Sequence, residues 1–401
     1  MLRVRDPFHR SQLAIAALFC SLGFQYATWA SRIPAIKEDL DLSAAEVGVL
    51  LMAAGIGAAV SFPLVAVLMR RLGSQRLALL SALCLALLLL ALAGAPNYPV
   101  ALLVMCLDGV LVGCLNVAMN AQGAELEKRY ERNAMARLHA TFSGGSLLAA
   151  LLASGMNAVT SAVAAHFGAA ALFLLVLVVC ARTGLLTDRP ADADADAETV
   201  GEESGAAAGA VAVKKKSKWT VPSRVTLWMC VAMAFGTVTE GAMNDWSALY
   251  LEDVAEASAE LAPLGIAVVS GMMVVARLFA DGWRSRWGDG RVVLSGSVLA
   301  GAGLALALLS GGLVPALLGF ACVGLGIAAV TPCVYVAAAG QGSDSLTLVA
   351  AMGTTGLLAG PPLIGFIAHA SSLVWGLAAV AASALVVSAC STRIRWPATT
   401  G

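Results

Sequence analysis

Charge is scarce in this chain of 401 residues: Asp, Glu, Lys and Arg make up only 12% of it, about half of what a water-facing globular surface needs. That excludes an ordinary soluble domain. Lys and Arg number 25, as do Asp and Glu, so no net field draws the chain toward a polyanion and no nucleic-acid partner is expected. Aromatic residues amount to 6%, and isolated Phe and Trp in such a background are expected at lipid-facing or packing positions. The nine cysteines form no C-x-x-C pair and have no His or Cys at metal-ligand spacing, which argues against a zinc site or a dithiol redox centre. All nine lie in apolar segments and read as small packing residues. No nucleophile triad, phosphate loop or dinucleotide fingerprint stands out, so no enzymatic activity, cofactor or metal is expected.

What the chain has in abundance is apolar length. Hydrophobic residues make up 59% and come in blocks such as 77–95 and 164–181, which match a hydrocarbon core of about 30 Å or about 20 helical residues. Apolar runs bounded by charge and turn signals predict helices over 12–32, 45–69, 77–95, 99–122, 138–158 and 162–183, then over 224–248, 261–283, 290–311, 313–337, 345–368 and 371–391. Between the two sets lies 188–220, where ADADADAE, EES, GAAAGA and KKKSK show no apolar periodicity and read as a disordered cytoplasmic linker. The expected fold class is an all-α membrane protein with twelve transmembrane helices in two pseudo-symmetric six-helix bundles, 1–187 and 221–401. Arg3, Arg5 and Arg10 before the first apolar run have the look of a signal peptide. A second apolar segment, however, begins at Ala44, where a cleaved leader would release a soluble domain.

Orientation follows from the cations. With the N-terminus inside, every Lys and Arg except Arg32 and Lys37 falls on an inner segment, and short loops retain Lys and Arg on the cytoplasmic side. Both termini are therefore expected in the cytoplasm, with the chain crossing the inner (plasma) membrane. The pattern R-x-G-x-x-R recurs over 71–76 and 286–291, after spans 2 and 8, and Trp29 and Trp246 recur near the outer ends of spans 1 and 7 at nearly the same offset. Two landmarks with one offset point to a duplicated six-helix unit, as a two-halved transporter requires.

Five strings carry a resemblance to a known family: WASRIPAIKEDLDLSAAEVG from Trp29, GCLNVAMNAQGAELE from Gly113, MARLHATFSGGS from Met135, EGAMNDWSALYL from Glu240 and ARLFADGWRSRWG from Ala276. In this order and spacing the chain resembles the major facilitator superfamily, and within it the fucose-permease-like branch, over its length apart from the linker. The resemblance implies a monomeric secondary transporter that moves a small, polar, sugar-like solute by alternating access, with proton-coupled uptake (symport). It also implies a cytoplasmic charge gate after spans 2 and 8. The first of these has Arg70 where the superfamily carries an acidic residue, and the second keeps Arg277, Asp281, Arg284 and Arg286. The span 1 and span 4 carboxylates of sugar–proton symporters in that branch correspond here to positions near Ala30 and at Asn116. Two rivals stand beside this reading, a proton-driven exporter of amphipathic compounds and a non-transporting membrane sensor. Against them, FSGGSLLAALLASG in span 5 lacks a proline-and-glycine exporter signature, and the linker has no foldable apolar pattern.

Ionisable groups inside a lipid-embedded helix cost several kcal/mol unless they face a polar cavity or a partner, so each is a functional candidate. Thr237, Glu240, Asn244 and Ser247 follow at helical spacing in span 7 and share one face. Glu240 is the first candidate to bind solute or proton, its alternative being a structural carboxylate tied to a neighbouring helix. Ser21, Gln25, Trp29 and Arg32 form a matching stripe in span 1, in which Gln25 and Trp29 suit a polar ligand and Arg32 an outer gate. Span 4 presents Asp108, Asn116 and Asn120 on one line; the two Asn are ligands or interhelical packing groups, and Asp108 is a second proton site or a buried partner for Arg32. His139, two residues after Arg137, suits a cytoplasmic-end role. Pro361-Pro362 is expected to break or kink span 11. The orientation is open to direct test: a thiol label confined to the outside of intact cells is expected to miss a cysteine placed at Ala206 and to reach one in the loop after span 7, for which Ala257 is the first choice. Labelling at Ala206 would overturn the two-halved layout.

Overall fold

The computed structural model describes residues 6–132, 134–187 and 222–396; the linker expected over 188–220 lies outside them. All regular structure among the described residues is helical. In order these helices are α1 (Pro7–Ala30), α2 (Ile33–Asp39), α3 (Ala44–Ala93), α4 (Tyr98–Tyr130), α5 (Met135–Val159), α6 (Val163–Arg182), α7 (Arg224–Asp253), α8 (Leu264–Trp287), α9 (Asp289–Ser310), α10 (Leu313–Ile327), α11 (Val330–Ala339), α12 (Ser343–Ala370) and α13 (Leu373–Ser391). At 1.5 Å per residue the 50 residues of α3 would run about 75 Å, more than twice a hydrocarbon core. It is two spans joined at Gly73, whose φ of 75° only glycine adopts readily. Counting α3 twice and α10 with α11 once gives twelve membrane spans, with α2 a short additional helix.

The ends of the helices are written in polar residues. Ser43 and Glu46 cap α3 reciprocally: the Ser43 amide donates to Glu46 Oε2 at 2.8 Å and the Glu46 amide to Ser43 Oγ at 3.3 Å. Asn97 Oδ1 accepts from the Val100 amide at 3.1 Å to start α4, and Ser223 Oγ accepts from the Thr226 amide at 3.0 Å to start α7. Four features depart from the sequence reading. The loop between spans 2 and 3 shrinks to one glycine; α4 continues to Tyr130 instead of ending near 122; α11 begins after a two-residue break at Ala328 and Ala329; and α12 passes through Pro361 and Pro362 without interruption. Prolines are tolerated there because packed neighbours can re-satisfy the freed carbonyls.

Two compact units divide the described residues. The first holds residues up to Leu40 and from Ala53 to 187, and the second holds Asp41–Met52 and everything from 222 onward. The opening turns of α3 belong to the second unit through glycine: Gly48 lies so close to α12 that an added Cβ would stand 3.1 Å from the Pro361 carbonyl oxygen. The first span packs alike in the two units. The first span, α1 or α7, packs mainly on the fifth, α5 or α12, and on the sixth, α6 or α13. Large side chains such as Phe19, Phe24, Trp246, Tyr250 and Phe320 fill the interiors, while Leu172, Val179, Leu306 and Leu309 stand exposed. That distribution suits a lipid solvent, which rewards apolar groups on the outside as much as within.

Helix approach in the first unit depends on missing side chains. A Cβ on Gly57 would overlap the Cys106 carbonyl, and one on Gly109 the Ala54 carbonyl, so α3 and α4 touch backbone to backbone. Gly109→Ala is therefore expected to lower the thermal midpoint of the purified protein, at an overpacking cost of about 1–3 kcal/mol. Gly155→Ala in α5, where a Cβ meets nothing within 4 Å, is expected to leave it unchanged. In the loop after α7, Ala257 proves buried at 9% exposure, which makes the exposed Ala259 the better labelling position.

Candidate functional site

In the first unit, α1 and α4 bring two sequence candidates together. Gln25 Nε2 donates to Asp108 Oδ1 at 2.6 Å, with both residues buried and Asp108 only 4% exposed. No cation accompanies this carboxylate among the described residues; an amide is its partner. The other face of the Gln25 amide, Oε1, is buried without a hydrogen bond, and so is Trp29 Nε1 one turn further along α1. One orphan acceptor and one orphan donor thus lie on the same stripe as the Gln25–Asp108 contact. Asn116 and Asn120 are also buried, but Asn120 Nδ2 donates to the Asn116 carbonyl at 2.8 Å and to its Oδ1 at 3.1 Å. Those bonds run along α4, so the pair is not the interhelical glue that asparagines often supply.

Arg32 does not reach Asp108. It is buried and donates through Nε to His166 Nδ1 at 3.1 Å and through Nη1 to the Ser161 carbonyl at 3.3 Å. His166 thereby takes the acceptor role at Nδ1. The residue escaped the sequence reading because it sits in the first turn of the apolar helix α6 with no polar neighbour at helical spacing. His139 packs edge-on against Phe19, ring centroids 5.0 Å apart.

In the second unit the polar face of α7 splits. Thr237 is buried and donates to the Gly353 carbonyl of α12 at 3.0 Å, which ties two helices. Ser247 is fully buried with no partner for its hydroxyl. Glu240 and Asn244 stay partly open: Asn244 Nδ2 donates to the Glu240 backbone carbonyl at 3.1 Å, and Glu240 Oε1 pairs with Arg277 Nη2 at 3.3 Å, each side chain 27% exposed. Arg277 was expected among the gate residues. Its helix places it two turns before Arg284, and its partner is the carboxylate of α7.

The end of α8 holds a second charge pair. Arg284 donates through Nε to Asp289 Oδ1 at 2.8 Å and through Nη2 to Oδ2 at 3.3 Å, a two-pronged contact across the α8–α9 turn. The buried Cys333 thiol of α11 lies beside both partners. Asp289 was not singled out from the sequence because it sits inside the R-x-G-x-x-R string, where the arginines and glycine drew the eye. Arg286 is exposed, and the Asp281 side chain lies outside what the structure describes. Among the described residues no three of His, Cys, Asp and Glu converge as metal ligands.

Twelve spans and a first span that packs alike in each unit narrow the choice of family, and comparison with known proteins decides it. The description of the Major Facilitator Superfamily matches residues 13–345. The chain belongs to that superfamily. It is 31% identical over 396 residues to an uncharacterized MFS-type transporter of Yersinia pestis, covering 96% of each chain. To the membrane protein MosC of Rhizobium meliloti it is 30% identical over 383 residues, covering 94% of this chain and 88% of the relative. Among solved structures, the nucleoside transporter NupG superposes with a TM-score of 0.67 at 14% identity, over 97% of this chain and 98% of that one. A likeness at that identity carries the fold alone. As a member of the superfamily the chain is a multi-pass secondary transporter and not an enzyme.

The Glu240–Arg277 pair makes a measurable claim. Arg277→Gln leaves a carboxylate inside the bundle without its cation and is expected to lower the thermal midpoint more than the double variant Glu240→Gln/Arg277→Gln does. A coupling of about 0.5–3 kcal/mol is typical of residues in direct contact. Additive losses would show that the two charges do not interact.

Proposed function

We propose that this transporter is a proton-coupled uptake carrier for a small, polar, sugar-like solute, working as a monomer by alternating access in the bacterial inner membrane with both termini cytoplasmic. The observation that carries the solute class is the buried, unpartnered pair Gln25 Oε1 and Trp29 Nε1 on the α1 stripe that holds Asp108. One accepts and the other donates, which matches a hydroxyl group, since an alcohol does both. The Trp29 ring adds an apolar face for the carbon skeleton of a ring. Asn116 and Asn120 supply further amides in the first unit, and Glu240 and Asn244, with Arg277, supply polar groups in the second. The strings that resemble the fucose-permease-like branch point to the same solute class. NupG is a nucleoside transporter, and nucleosides also carry a hydroxylated sugar ring, so a nucleoside enters here as a solute to be tried.

The proton assignment, left between Glu240 and Asp108 by the sequence, falls to Asp108 in this proposal. Glu240 has a counter-charge in Arg277. Among the described residues Asp108 has the Gln25 amide as its partner and no cation, so a proton or a bound cation is left to compensate its charge, and an uncompensated charge in a bilayer costs several kcal/mol. Arg284 and Asp289 are proposed as the cytoplasmic gate, with Arg286 and Asp281 beside them in sequence, holding the inner ends of α8 and α9 in one state and releasing them in the other.

Flux through proteoliposomes tests the assignment, using labelled hexoses and nucleosides with and without an inward proton gradient. Asp108→Asn is expected to keep solute exchange and lose gradient-driven accumulation, whereas Glu240→Gln is expected to weaken solute affinity and keep accumulation. Full accumulation by Asp108→Asn, with loss in Glu240→Gln, would move the proton to Glu240.

A further inference from the structure

A groove of about 860 Å³ runs along the outer surface of the second unit between α9 and α10, a volume within the range of about 300–1,000 Å³ found for small-molecule sites. Its walls are Leu294, Val298, Leu299 and Leu306, and its mouth is made by Trp287 and Arg291. The floor is shallow because a Cβ on Gly303 would stand 2.5 Å from Cys322 Cβ, so α9 and α10 press together where no side chain intervenes. Leu306 at the far end is 64% exposed. From Arg291 to Leu306 α9 rises about 22 Å at 1.5 Å per residue, which exceeds one leaflet, half of a core of about 30 Å.

The mouth is cationic and aromatic. Arg286 and Arg291 are exposed and neither guanidinium has a partner among the described residues. Arg393 and Arg395 are exposed on the segment whose Trp396 ring packs against Gly290, the residue before Arg291. The nearest carboxylate in the chain, Asp289, is already engaged by Arg284. Phe279, Trp283 and Trp287 form a ladder one turn apart along α8, with nearly parallel rings at centroid distances of 6.0 and 6.4 Å, and it ends at the groove. Tryptophan rows of this kind sit at headgroup level in membranes, and basic pockets beside spans bind anionic headgroups.

We propose that this groove binds an anionic phospholipid, its phosphate held by Arg286 and Arg291 and one acyl chain lying between α9 and α10. The occupant is a lipid and not a free anion because the site joins a cationic mouth to an apolar channel of leaflet length. Only Gly290 separates Arg291 from Asp289, so a bound headgroup sits beside the Arg284–Asp289 pair and is placed to bias it. The proposal is independent of the solute reading, since none of these residues is among the proposed solute or proton ligands.

Native mass spectrometry of the purified full chain, delipidated and then titrated with phosphatidylglycerol or phosphatidylcholine, tests it. The wild type is expected to retain phosphatidylglycerol in preference. Arg286→Gln and Arg291→Gln are each expected to weaken that preference about fivefold, the worth of one basic side chain at an anionic surface. Ala302→Phe fills the groove from an exposed position and is expected to abolish retention while leaving the thermal midpoint of the lipid-free protein unchanged. Inorganic phosphate is expected not to compete. Equal retention of the two lipids by the wild type, competition by phosphate, or undiminished retention in Ala302→Phe would each overturn the proposal.

Discussion

No water is available inside the hydrocarbon core, and that single condition shapes every other feature of this protein. Backbone amides and carbonyls must pair within their own segment, which leaves the helix as the only open-ended way across. Side chains obey the same rule at higher stakes. A polar group in lipid either finds a partner in a neighbouring helix, as Thr237 does at the Gly353 carbonyl, or marks a place where something other than lipid is meant to stand.

The two units meet this condition differently. In the first, Asp108 is wrapped in protein and answered by an amide, and the remaining polar atoms of the stripe, Gln25 Oε1 and Trp29 Nε1, go without partners. In the second, Glu240 is half open and answered by a guanidinium. A carboxylate answered by an amide and one answered by a guanidinium are chemically unlike; spans 1 and 7, which carry one partner of each contact, occupy equivalent places in the repeat, whereas the other partners come from spans 4 and 8, which do not. The two units therefore differ in which charges they bury and in how those charges are answered.

Close helix contact is the second consequence. Without a hydrophobic drive between helices in lipid, association rests on van der Waals fit, and glycines at Gly57, Gly109, Gly296 and Gly326 let backbones touch. Gly296 and Gly326 do so reciprocally, each with its Cβ position against the other's carbonyl. Such seams are flat and free of interlocking side chains.

Span number and repeat were legible from the residues because both are statements about one segment at a time: apolar length, turn signals and a recurring R-x-G-x-x-R. The candidate list was legible for the same reason, since helical spacing puts Gln25 with Trp29 and Glu240 with Asn244 on shared faces without reference to any other helix. Pairing was not. That Asp108 meets Gln25 while Arg32 meets His166, that Arg277 answers Glu240, and that Asp289 clasps Arg284 are matters of which helices lie side by side. A hydrophobic period is the same for every neighbour a helix could take, so the sequence by itself determined the spans and the faces. Only the packing of those faces decided which charge found which partner.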